Sequence, residues 1–84
     1  MVTIYATAKA RNQLGNVTCW IHVTYDKSRQ EEPWQIMLHD LTTGCHLLVF
    51  WDGSNAFAAF KGLIGAYSDT GTVSAQFGPL VPID

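Results

Sequence analysis

The chain has little charge. Lys, Arg, Asp and Glu make up 14% of its 84 residues, and the formal net charge is −2. Globular domains usually carry about a quarter. Five of the twelve charged residues also crowd into the stretch from Asp26 to Glu32, which leaves the rest of the chain nearly uncharged. So few charges for a surface point to buried contacts between subunits. A basic stripe, which a phosphate-tracking surface needs, is missing. No apolar run approaches the length of a membrane span. The first residues lack the basic-then-apolar pattern of a signal peptide, so the expected setting is the cytoplasm, away from membranes.

Cysteine is scarce as well. The chain has two, Cys19 and Cys45. They fall on strands two apart, roughly 10 Å at ~4.8 Å per strand. A disulfide needs Cα atoms within about 7 Å, so both read as reduced, buried thiols. Catalytic signatures are absent too: no serine elbow, no Gly-rich phosphate loop and no clustered carboxylates. Neither cysteine neighbours a histidine on its own sheet face, which argues against a thiolate–imidazole pair. The chain reads as non-enzymatic and without a cofactor.

What is present is a two-residue alternation. Val17, Cys19, Ile21, Val23 and Tyr25 alternate with Thr18, Trp20, His22, Thr24 and Asp26. Such a rhythm places the two sets on opposite faces of a sheet. It predicts strands over Val2 to Ala10, Val17 to Asp26, Trp34 to Asp40 and Cys45 to Trp51. The first hairpin turns at Asn12 to Gly15 and pairs Ala10 with Val17, Ala8 with Cys19, Ala6 with Ile21 and Ile4 with Val23, apolar against apolar throughout. Asp26 to Pro33 is a solvated, charged loop. The second hairpin turns through Leu41 to Gly44 and pairs Asp40 with Cys45, which sets His39 opposite His46. A three-residue loop from Thr42 to Gly44 would shift the fourth strand by one residue and break that histidine pairing.

The alternation ends at Asp52-Gly53-Ser54-Asn55, where Asp52, Ser54 or Asn55 can cap a helix. The helix covers about Asn55 to Tyr67. Phe57, Phe60, Leu63, Ile64 and Tyr67 form its apolar stripe. Ala58, Lys61, Gly62 and Gly65 form the opposite face, small enough for another helix to approach. Thr72 to Phe77 is a fifth strand, able to return beside the first, and 78–84 is an extended C-terminal tail. The expected fold is a single α+β domain over 1–84: an antiparallel four-strand meander, one helix packed on one sheet face, and a fifth strand. A core this small often needs a partner subunit.

The helix-covered face is expected to hold Val2, Ile4, Cys19, Ile21, Val23, Trp34, Ile36, Leu38, Leu47, Val49 and Trp51. The other face carries Tyr5, Trp20, His22, Met37, His39, His46, Leu48 and Phe50 among threonines, with Lys9 its one charged side chain. Sheet faces that meet water are usually rich in Thr, Lys and Glu. This one is half aromatic and aliphatic, so Tyr5, Trp20, His22, Met37, His39, His46 and Phe50 are the candidate binding residues. Three uses compete. It is an interface for a protein partner or a second subunit, because aromatics and Met are enriched there and Lys, Glu and Asp depleted. It lines a pocket for a small apolar or aromatic ligand. Or His39 and His46, with His22 diagonal, hold a metal; no carboxylate on this face supplies a further ligand, so no metal is expected.

Four strands followed by a helix resembles, in topology, the Whirly-type single-stranded-DNA-binding modules. The resemblance implies bases stacked on Tyr5, Trp20 and Phe50. Lys9 and Arg11 are the only cations near this face, so nucleic acid is not the expected partner. The reading is a small, homo-oligomeric protein that binds rather than catalyses.

Overall fold

The alternating segments become strands in a computed structural model of the chain, which describes residues 2–78, 82 and 83. β1 is Val2–Asn12, β2 Val17–Asp26, β3 Trp34–Asp40 and β4 Gly44–Phe50. Helix α1 is Gly53–Ser68, followed by β5, Gly71–Phe77, and the two-residue β6, Pro82–Ile83. All pairings are antiparallel, in the spatial order β4-β3-β2-β1-β5, with β6 beside the start of β1. The expected α+β architecture is present, and the fifth strand does return beside the first. The tail expected over 78–84 lies largely outside the described residues; within it, Ile83 pairs with Val2 and Pro82 with Thr3.

Helix α1 starts where Asp52 accepts a hydrogen bond from the Asn55 N–H at 2.8 Å, satisfying a donor of the first turn. It lays Ala56 and Phe60 on the sheet, with Phe57, Leu63, Ile64 and Tyr67 half-buried around them. Beneath lie Cys19, Ile21, Val23, Ile36 and Leu38, with Ala6, Ala8 and Ala10 on β1, between β2 and β5. Alanine at three alternate positions keeps the helix-facing surface of β1 low, which leaves room for the Phe60 ring.

The register departs from the expected pairing in both hairpins. In the first hairpin Ala10 pairs with Cys19, Ala8 with Ile21 and Ala6 with Val23, two residues along from expectation but on the same faces. Between Ala6 and Ile4 the register slips at a bulge, and Ile4 pairs with Thr24 instead of Val23. A bulge places two residues of one strand against one of its neighbour, so face parity changes on passing it. Ile4 and Val2 therefore leave the helix face. Thr24, paired with Ile4 and Gln35, is wholly buried, and its hydroxyl finds no hydrogen-bond partner among the described residues.

In the second hairpin Asp40 pairs with Gly44, not Cys45. The turn is the three residues Leu41, Thr42 and Thr43, one earlier than the three-residue alternative. Gly44 has φ +98°, the left-handed conformation that ends such a turn, and it already sits in the ladder. Every β4 side chain thereby changes face.

Candidate functional site

The face away from α1 is the candidate site. Its residues run in rows across the strands. One row is Ser74, Lys9, Trp20, His39 and Cys45; the next is Gln76, Thr7, His22, Met37 and Leu47; Gln35 and Val49 follow. The β1 and β5 half is polar. The β2 to β4 half is apolar and aromatic, and there Trp20, His22, Met37, His39, Cys45 and Leu47 border an open groove of about 370 Å³, with Leu38 and His46 completing its lining.

The groove's polar groups are few. The Thr7 hydroxyl and His22 Nδ1 share a 2.8 Å hydrogen bond. Burial pushes the His22 imidazole below its usual pKa, so it is neutral at pH 7. The Trp20 and His39 rings meet edge to face, 5.6 Å between centroids, which holds the indole over the sheet. Met37 and Leu47, directly opposite one another, are each about half exposed, at 50% and 56%.

Of the candidates read from the sequence, Trp20, His22, Met37 and His39 stand together on this face. Three others are corrected. Tyr5 is the bulged residue of β1, and its ring packs with Trp34 at 5.1 Å and Tyr25 at 6.3 Å in the aromatic cluster at the helix side. Trp34 in turn meets Phe57 of α1. His46 and Phe50 pair with Leu38 and Trp34, which puts them on the helix side of the sheet by register, although His46 still contributes to the lining of the groove. Leu48 moves with them. Cys45, Leu47 and Val49 take their places. Trp51, expected in the core, is 69% exposed.

The shifted register also removes the opposed histidines on which a metal reading rested. Among the described residues no group of three His, Cys, Asp or Glu side chains is placed to hold a metal ion. It brings Cys45 opposite His39 instead, so a cysteine and a histidine do share a face, contrary to expectation. Both cysteines are free; Cys19 is buried as expected, but Cys45 is exposed. No signal in the alternation marks Cys45 or Leu47 as site residues, because their selection depends on one residue of turn length.

A polar knot anchors the other side of β3. Asp40 Oδ1 accepts from the Thr42 and Thr43 N–H groups at 2.7 and 3.0 Å, and Oδ2 accepts from the Tyr67 hydroxyl at 2.6 Å. These donors, Tyr67 foremost, hold the Asp40 carboxyl below the usual range, and Asp40 in turn raises the Tyr67 phenol. Burial raises the adjoining Cys19 thiol, which keeps it protonated and unreactive. This cluster fixes the turn that sets the β4 register, and so it shapes the groove from behind.

Within the described residues no helix is long and apolar enough to cross a membrane. Compared with known protein families, with characterised proteins and with solved structures, the chain matches none.

Proposed function

We propose that this chain is a small non-enzymatic binding protein that works through the open face of its sheet, seating an apolar surface of a protein partner on the groove between Trp20 and Leu47. One observation carries this reading. Trp20, Met37 and Leu47 border one groove, Lys9 is the one charged side chain in their two rows, and interfaces are enriched in Trp and Met while depleted of Lys, Glu and Asp. Trp20 is the anchor, already held by His39, so little side-chain freedom is lost on binding. The groove holds neither clustered carboxylates nor a base-activated serine, in keeping with binding rather than turnover. Two free cysteines fit a reducing, cytoplasmic setting.

A matched pair of baits tests it. Wild type and Trp20→Asp, both folded by circular dichroism, are used to recover binding proteins. A protein retained by wild type and lost with Trp20→Asp supports the reading. Recovery that is identical for both baits overturns it.

The groove volume favours a second reading. About 370 Å³ falls within the ~300–1,000 Å³ of small-molecule sites, and apolar walls with a few hydrogen-bonding groups are their usual make-up. An aromatic ligand would stack on Trp20 and accept from or donate to His22 or His39. Titration with aromatic fragments, followed by amide shifts, supports this reading if the shifts cluster on Trp20, His22 and His39. It fails if they scatter.

A further inference from the structure

The outer edge of β4 is unusual for a strand that ends a sheet. Natural edges are blunted by charges, by proline or by a bulge, because unpaired N–H and C=O groups template pairing with another chain. β4 has none of these devices. It is seven residues long, Gly44–Phe50, without charge, proline or register shift, and no strand pairs its outer side among the described residues. The uncharged stretch extends through both flanks, from Leu41 to Trp51. Of the eight exposed large apolar side chains among the described residues, five lie in this stretch: Leu41, Leu47, Leu48, Val49 and Trp51.

These side chains project from both faces of the strand. Leu47 and Val49 share the groove face, and Leu48 shares the helix face with Ile36, yet Leu48 is still 42% exposed. A partner laid on the open face would leave Leu48 uncovered. A strand added beside β4 covers both sides at once and also satisfies the edge's backbone groups.

We propose that β4 pairs antiparallel with β4 of a second copy of this chain, about a two-fold axis through Leu47. The strand is self-complementary in that register. Cys45 lies opposite Val49, His46 opposite Leu48, and Leu47 opposite Leu47, so each pair matches without opposing like carboxylates or ammonium groups. The other edge, β5, offers a poorer match, since Thr72, Ser74 and Gln76 make one of its faces polar. Pairing joins the two sheets into one, with both open faces on the same side. The two grooves then run into each other across the Leu47 pair, and the end that each leaves open at β4 is closed by the other copy. This inference concerns the edge and stands independently of what the groove binds.

Solution mass and a register-specific cross-link test it together. Wild type should have the mass of a dimer. Leu48→Lys, which alters the edge but does not line the groove, should be a monomer, while Trp20→Asp should remain a dimer. Leu47→Cys in a Cys45→Ser background should form a covalent dimer on mild oxidation, because directly opposed residues of an antiparallel pair lie about 4.5–5.5 Å apart, within disulfide reach. The cross-link decides even if Leu48→Lys fails to fold. A monomeric wild type, a dimer lost with Trp20→Asp but kept by folded Leu48→Lys, or no covalent dimer through residue 47 overturns the proposal.

Discussion

The Tyr67 hydroxyl donates to Asp40 Oδ2 at 2.6 Å, tying the last turn of α1 to the end of β3. With both oxygens of Asp40 occupied, one carboxylate joins the helix, the β3–β4 turn and the ladder position opposite Gly44. A charge-assisted bond to a buried carboxylate contributes about 1.5–3 kcal/mol.

Tyr67→Phe should therefore destabilise the protein by about 1.5–3 kcal/mol at pH 7, as read from urea unfolding. The Asp40 carboxyl titrates below its unfolded value, so its contribution is present above about pH 4 and is lost as pH falls through the folded pKa. The gap between wild type and Tyr67→Phe should narrow as pH falls below about 4. A gap of constant size across that range would show that the charge on Asp40 is not involved.

Thr24→Val should leave stability unchanged or raise it by up to about 1 kcal/mol. The Thr24 hydroxyl is buried without a partner among the described residues, and Val has the same shape, suits a strand and removes that unsatisfied group. A fall in the denaturation midpoint would mean that the hydroxyl has a partner.

Gly71→Ala should cost more than 1 kcal/mol, on the order of the ~1–3 kcal/mol of an overpacked site. A Cβ at Gly71 would collide with the Arg11 carbonyl, where β5 begins its pairing with β1. Hydrogen exchange should show the loss concentrated at the Asn12 and Gly71 end of that pairing.

The His22 imidazole should take up its proton below the ordinary value of about 6.5. Its folded pKa is lowered by burial, so the unfolded state binds the proton first, and stability falls as pH drops below about 6.5. In His22→Gln the stability profile between pH 7 and 5 should be flatter, and ring-proton shifts of wild type should place the midpoint below that of a free histidine.

Local rules settled much of this fold from the chain alone. The alternation identified β1 to β4 and β5, and the polar run Asp52 to Asn55 before a 3.6-residue stripe placed the start of α1 to within a few residues, with the structure selecting Asp52 as its cap. The faces of β2 and β3 were also legible, because no bulge disturbs their mutual pairing from Cys19 to Tyr25 and neither contains a left-handed residue. Trp20, His22, Met37 and His39 could thus be grouped on one surface in advance. Tertiary structure decided the rest. Side-chain direction reverses with each residue of a strand, so a single-residue change in pairing carries every later side chain to the other face. The bulge at Tyr5 and the left-handed Gly44 each introduce one such step, and the periodic pattern reads the same with either step or without it. Tyr5, His46 and Phe50 left the open face, and Cys45, Leu47 and Val49 entered it, because the alternatives differ in packing under α1 and in the Asp40 knot rather than in local pattern.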